Sequence, residues 1–218
     1  MICGIDEAGR GPVIGPLVIA CVCVENDDGF VRLGVKDSKK HSPRRREELA
    51  KKIYKMGSCA VRVITADDID ALRSQMTLNV IEANGFSSLV NEICEEGCTV
   101  YVDSASANED KFADMIRSNL NKGIKSVKIV SEHGADDRYP VVSAASVCAK
   151  VKRDEEVEKI SKELGEDIGS GYPSDPNTRR FLKNWVKEHG ELPPHTRASW
   201  QTSKDVLNQY SNKKLDDF

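Results

Sequence analysis

The chain opens with Met1-Ile-Cys-Gly-Ile-Asp-Glu-Ala-Gly-Arg-Gly-Pro-Val-Ile-Gly-Pro16. Residues 1 to 5 are apolar enough for a short strand. That strand ends on two adjacent carboxylates, Asp6 and Glu7, and Gly9-Arg10-Gly11 follows as a flexible turn carrying one cation. Successive strand side chains point to opposite faces. Asp6 and Glu7 therefore serve one ion only if the strand is ending or if other carboxylates complete the set. The opening stretch predicts more acids at other strand or helix ends.

Such acids turn up further along. Pro12 to Val24 reads as a second strand, apolar throughout and so buried on both faces. Asn26-Asp27-Asp28-Gly29 is a turn signal, which predicts a hairpin or meander into a strand over 30–33. Ser42-Pro43 starts a helix, with Ser as cap and Pro in the first turn. A strand is expected over 59–64, a short acidic helix from Thr65 to Leu72, and a longer helix from Thr77 that Gly97 ends. Thr99-Val-Tyr-Val102 is a compact strand ending on Asp103. Ser106-Ala-Asn-Glu109 fits a capping box. A strand over 127–130 leads to a polar segment, 131–138, that carries Asp136 and Asp137. A helix over 141–164 begins with the small residues Ser143, Ala144, Ala145 and Ser146. Asp175-Pro176 starts another helix, a last one runs over 199–210, and 211–218 reads as a flexible polar tail.

Strands followed by alternating helices and strands, then helices alone, give an α/β class: a mixed central sheet of about five strands flanked by helices. The organisation expected is a catalytic domain over 1–165, a C-terminal helical appendage over 166–210 and the tail. The 218 residues are 39% hydrophobic, ample for a core, and 31% charged. The longest apolar run, 13–24, is broken by Gly15-Pro16 and falls short of the roughly 20 residues of a membrane span. No secretory signal pattern opens the chain. Its seven cysteines are scattered without a Cys-x-x-Cys, so buried reduced thiols and a cytoplasmic setting are expected. The net charge of −3 speaks weakly against nucleic acid, but basic residues bunch at 36–46, 150–153 and 179–187.

Asp6 and Asp103 each follow a short apolar strand, and neighbouring parallel strands would bring them together where open α/β sheets bind ligands. Carboxylates crowded at one point resist ionisation, and a divalent cation removes that cost. An all-oxygen set suits Mg²⁺ or Mn²⁺ rather than Zn²⁺. Two such ions about 3.5–4 Å apart activate a water and stabilise the leaving oxygen in phosphodiester cleavage. The plainer reading is that an Asp after a strand is a turn or helix cap, and Asp136 and Asp137 could cap the next helix.

With these residues assembled, the chain resembles the type II ribonucleases H, most closely the archaeal and eukaryotic catalytic chain. The resemblance runs from residue 2 to about residue 202. It rests on residues 4–16, Asp37-Ser-Lys-Lys40, the Asp103 strand end and Ala135-Asp136. It continues through Tyr139 to Ser146, Ala149-Lys150, Gly169-Ser-Gly-Tyr-Pro-Ser-Asp-Pro176 and Ser199-Trp200. It implies a ribonuclease-H-like sheet and an endonuclease that cuts the RNA strand of RNA–DNA hybrids. It also implies cutting 5′ of single ribonucleotides in duplex DNA, leaving a 3′-hydroxyl and a 5′-phosphate. Asp6, Glu7, Asp103 and Asp136 look like its metal-binding catalytic carboxylates, Asp136 rather than Asp137 from its offset to Ser143. Gly9, Arg10 and Gly11 resemble the loop whose backbone reads the ribose 2′-hydroxyl, the group that separates RNA from DNA. Tyr172 is similar to the tyrosine that packs on the deoxyribose at the junction, and Lys39 lies where the family holds a phosphate. Ser143 is counted with these substrate-binding residues.

The chain departs from the family at His41, where an apolar residue is usual, and at Gly134, where a Lys is common. His133 and His195 invite an acid–base role but show no obvious partner. The tail Lys213-Lys-Leu-Asp-Asp-Phe218 is similar to a degenerate sliding-clamp peptide anchored by Leu215 and Phe218, without the usual Gln and second aromatic. A monomer is expected. Two rivals stand: another metal nuclease of the same layered fold, such as an integrase or junction resolvase, and a catalytically inactive RNA–DNA hybrid-binding protein.

Overall fold

The computed structural model describes residues 1–36, 41–124 and 126–216. Its sheet contains β1 (Ile2–Ala8), β2 (Leu17–Val24), β3 (Ser58–Ile64), β4 (Thr99–Asp103) and β5 (Lys128–Glu132), in the order β3-β2-β1-β4-β5. β1 runs antiparallel to β2 from Ile2↔Val24 to Ala8↔Val18. It runs parallel to β4, but only from Ile2↔Thr99 to Ile5↔Val102. β4 and β5 are parallel through Asp103↔Glu132. The mixed five-stranded sheet flanked by helices is the expected architecture.

The helices are α1 (Asp28–Leu33), α2 (Pro43–Ile53), α3 (Ala66–Arg73), α4 (Leu78–Ile93), α5 (Glu109–Ser118), α6 (Ala135–Arg138), α7 (Pro140–Leu164), α8 (Pro176–His189) and α9 (Gln201–Asp216). Ser42, Thr65 and Thr77 cap α2, α3 and α4 by accepting from the backbone N–H of Arg45, Asp68 and Val80. Each supplies an acceptor to a first-turn donor that the helix cannot satisfy itself.

Two compact units divide the chain. One holds Met1–Ala8, Val18–Val63 and Thr77–Lys152; the other holds Gly9–Leu17, Ile64–Met76 and Arg153–Phe218. In the first, every residue of β2 is buried. Val18, Ala20, Val22 and Val24 face a core built with Phe30 of α1, Leu49, Ala50 and Ile53 of α2, and Val141, Val142, Ala145 and Ala149 of α7. The small residues at the start of α7 let it lie close on β1. The contact is tight enough that a Cβ on Gly4 would stand 2.4 Å from the backbone carbonyl of Val141. α4 and α5 pack together, with the Phe86 and Phe112 rings edge to face, and α5 lies on β5.

The second unit has its own core of Val13, Ile14, Val157, Ile160, Ile168, Phe181 and Leu182. Asp175 caps α8 at Asn177 and also accepts from the Ser170 N–H at 2.6 Å. That N–H, first among several donors, holds the Asp175 carboxyl down at about 2. Asp70 of α3 takes three hydrogen bonds from Ala198 and Ser199, fixing the segment before α9.

Several local expectations are corrected. Residues 30–33 form the end of a helix, α1, closed by Gly34 in the left-handed region, and not a strand. Residues 12–16 precede the strand rather than belonging to it, and only Ile14 bridges, to Thr196. Asn108, not Ser106, caps α5, and α4 ends at Ile93, ahead of Gly97. The last helix continues through Asp216, so residues 211–216 are helical rather than a loose tail. Cys3 and Cys23 are joined as a disulfide rather than both being thiols. They are direct cross-strand partners with Cα atoms 4.1 Å apart, the approach of a non-hydrogen-bonded antiparallel pair. Cys21, Cys94, Cys98 and Cys148 are buried free thiols, and Cys59 is half-buried. Among the described residues no helix is long and apolar enough to cross a membrane.

Candidate active site

The parallel pairing of β1 and β4 stops at Ile5↔Val102. The next residues on the two strands are Asp6 and Asp103, which therefore stand side by side where the ladder opens. α6 supplies Asp136, buried in its first turn. One carboxylate oxygen from each of Asp6, Asp103 and Asp136 lies within 4.8 Å of the others. Asp103 also accepts from the Ala135 N–H at 3.0 Å. It is thus both a member of the cluster and a cap on α6, and the plain capping reading and the metal reading meet in one side chain. Glu7, on the opposite face of β1 by strand parity, is not part of this trio, though its N–H donates to Asp6 at 2.7 Å.

Asp6 shows the cost of the crowding. Burial, then the charge of Asp103, push its carboxyl from 3.8 up to about 7, against the opposing pull of Ser146, Lys150 and the Glu7 N–H. Ser146 and Lys150 come from α7, and Lys150 Nζ donates to Ser146 Oγ at 2.8 Å. Ser143, one turn earlier, donates its hydroxyl to the Asp136 carbonyl, so in this structure it fastens α6 to α7. The spacing 143, 146, 150 puts these three residues on one helix face. Sequence reasoning quoted the stretch but gave Ser146 and Lys150 no role beyond a run of small residues and a run of basic ones.

In the other unit, the loop after β1 is tied down by a residue that sequence reasoning passed over. Arg197 is fully buried and donates to the carbonyls of Gly9 at 2.6 Å, Arg10 at 2.9 Å and Gly15 at 3.0 Å. Its guanidinium lies 4.8 Å from the centre of the Trp200 ring. Five donors in a rigid fork suit three carbonyls converging on one point. With its carbonyls engaged by Arg197, the loop is held in one shape. Gly9 has φ +88°, and a Cβ there would meet the Pro16 carbonyl at 2.4 Å. Gly11 faces Tyr172: a Cβ on it would sit 3.5 Å from the ring, ordinary contact. Arg153 lies over the same ring, 5.0 Å from its centre, and donates to the Ser170 carbonyl. Gly9, Gly11 and Tyr172, singled out separately in the sequence, thus belong to one built surface. The signal for Arg197 was weak, because its partners lie more than 180 residues away in the chain.

His195 pairs with Glu163 at 3.1 Å, His133 with Glu109 at 3.9 Å, and His41 meets the Gly34 carbonyl at 3.1 Å. Lys39 and Phe218 lie outside the described residues, and Leu215 falls within α9.

The family model of ribonuclease HII matches residues 3–203. The chain belongs to the ribonuclease HII family. A ribonuclease HII of Methanosarcina barkeri is 47% identical over 217 residues, covering 96% of each chain. The crystal structure of the ribonuclease H2 from Pyrococcus horikoshii superposes with a TM-score of 0.88 at 38% identity, over 96% of this chain and 98% of that one. Archaeoglobus fulgidus RNase HII, solved as a complex with PCNA, gives 0.86 at 39% identity with full coverage of both chains. As a ribonuclease HII, the chain is a metal-dependent endoribonuclease acting on RNA–DNA hybrids.

Proposed function

We propose that the protein hydrolyses the RNA strand of RNA–DNA hybrids and cuts 5′ of single ribonucleotides in duplex DNA, serving replication and ribonucleotide excision repair in the cytoplasm. The observation that carries this is the convergence of Asp6, Asp103 and Asp136 at the open end of two parallel strands. The donor set fits the group it would hold: all oxygen, acidic, and strained towards protonation at Asp6, the condition that a hard divalent cation relieves. Asp6, Glu7, Asp103 and Asp136 would hold two ions, Mg²⁺ or Mn²⁺. Bound there, these supply water activation and neutralise charge on the leaving 3′ oxygen.

The chain's own groups do the rest. Ser146 and Lys150 keep Asp6 oriented. Gly9, Arg10 and Gly11 offer backbone to the ribose 2′-hydroxyl, which a side chain would keep at a distance. Tyr172 packs on the neighbouring deoxyribose, Ser143 contributes to substrate binding, and Lys39 takes a phosphate. The helices over 166–210 bind the duplex alongside. The monomer is the working unit. The likeness to the Archaeoglobus fulgidus protein seen with PCNA supports a sliding clamp as partner, held through Leu215 and Phe218. Deleting residues 211–218 should abolish clamp pull-down without changing turnover on short duplexes; pull-down that survives the deletion rules out this anchor.

The reading is tested with three labelled duplexes: one holding a single ribonucleotide, a full hybrid, and all-DNA. Metal-dependent cutting 5′ of the ribonucleotide, with a 3′-hydroxyl product and an intact all-DNA control, is the expected result. Equal cutting of all-DNA would favour a general metal nuclease. Hybrid binding with no turnover in any divalent metal would favour the inactive binding protein.

A further inference from the structure

Strand parity puts a second cluster of metal-ligating side chains on the other face of the sheet. Asp6 lies on the α7 side of β1, and Cys3, three residues earlier, lies on the opposite side with Cys21 and Cys23 of β2. Cys94 and Cys98 reach the same place from the turn between α4 and β4. All five are at most 7% exposed. Sγ of Cys23 is 3.7 Å from Cys94 and 4.0 Å from Cys21. Cys21, Cys23 and Cys94 have their sulfurs within 4.8 Å of one another, and so do Cys3, Cys94 and Cys98. The two trios share Cys94 and are joined by the Cys3–Cys23 bond, so five of the seven cysteines form one contiguous cluster drawn from three segments of the first unit.

We propose that the reduced protein binds one thiophilic divalent ion of the zinc type here, with Cys21, Cys23, Cys94 and Cys98 as ligands. A tetrahedral site with metal–sulfur bonds of about 2.3 Å has sulfur–sulfur edges of about 3.8 Å. The two distances around Cys23, 3.7 and 4.0 Å, are already at that length. Cys94 and Cys98 have the Cys-x₃-Cys spacing of a turn that offers two ligands to a structural zinc. An all-sulfur set selects a softer ion than the oxygen cluster across the sheet. The two sites therefore take different metals.

Cys23 is bonded to Cys3 in this structure, so loading follows reduction. A dithiol reductant exchanges with the Cys3–Cys23 bond and leaves as its own cyclic disulfide, giving two protein thiols. The metal then displaces the ligand thiol protons to solvent.

The full-length protein, reduced with a dithiol that is then removed anaerobically, is titrated with Co²⁺ as the spectroscopic probe. The expected result is one equivalent showing intense sulfur-to-metal charge transfer and the visible bands of a tetrahedral site. These are lost in Cys94→Ser and in Cys98→Ser and kept in Asp103→Asn. Zn²⁺ should displace the cobalt, and zinc X-ray absorption should show sulfur neighbours at about 2.3 Å. The proposal is overturned if reduced wild-type protein, shown to be folded by circular dichroism, has only weak oxygen-type bands that vanish in Asp103→Asn. It is overturned equally if the charge-transfer band survives in both folded cysteine variants.

Discussion

Asp6 bears the cost of crowding in the candidate centre. Its carboxyl stands at about 7 because it is buried beside Asp103. A carboxyl raised on folding contributes stability that is complete below about 4 and is lost as the pH climbs towards about 7. Metal-free protein should therefore melt progressively lower as the pH rises through this window, while saturating Mn²⁺ should flatten or reverse the trend in a thermal scan with and without chelator. Metal must also displace the Asp6 proton, so Mn²⁺ affinity should rise about tenfold per pH unit below about 7 and level off above it. Lys150 and Ser146 orient Asp6 from α7, and removing such a supporting group typically costs about 10–100-fold in metal affinity or activity. Lys150→Met should fall in that range by Mn²⁺ calorimetry, with its circular dichroism unchanged. Asp6 and Asp103 were legible in the sequence because each follows a short apolar strand, whereas Asp136, in a polar segment, stood out only through the family resemblance. Ser146 and Lys150 were not, because a helix face rich in small residues reads as packing until the partner across it is known.

At the scale of elements, the loop after β1 illustrates what sequence hides. Its glycines announce close approach, but what holds it is Arg197, whose bonds reach back across most of the chain. Arg197→Met removes the donors to three carbonyls. At about 1 kcal/mol per bond, it should lower stability by about 3 kcal/mol in urea denaturation. It should also reduce the preference for a ribonucleotide over deoxynucleotide in the same duplex, a readout that a merely structural role would not move. α7 was read within a residue of its bounds and α2 from its first residue, where the Ser42 cap is local, but α2 ends at Ile53 rather than running on to Gly57. α1 was misread because Phe30, Val31 and Leu33 suit a strand as well as a helix. Six residues are too few for a period to decide, and the deciding feature is Gly34 in the left-handed region. The Cys3–Cys23 pair was missed because it depends on the register of β1 against β2, which scattered cysteines do not reveal.

At the scale of the whole molecule, sheet order and strand direction set Asp6 beside Asp103, α6 adds Asp136 to make one candidate centre, and the same sheet carries a cysteine cluster on its other face. The class of the fold followed from the order of elements. The loop 9–17 and residues 64–76 share a unit with the C-terminal helices, an arrangement that only long-range contacts create. If Asp6, Asp103 and Asp136 form one metal-dependent catalytic centre, metal binding and cleavage fail together when one of them is lost. Mn²⁺ binding and single-ribonucleotide cleavage measured side by side on wild type and Asp103→Asn test it most directly. The variant, folded as judged by circular dichroism, should lose cleavage by more than about a hundredfold and lose Mn²⁺ affinity with it. A folded Asp103→Asn protein that binds Mn²⁺ and cuts like wild type would contradict it.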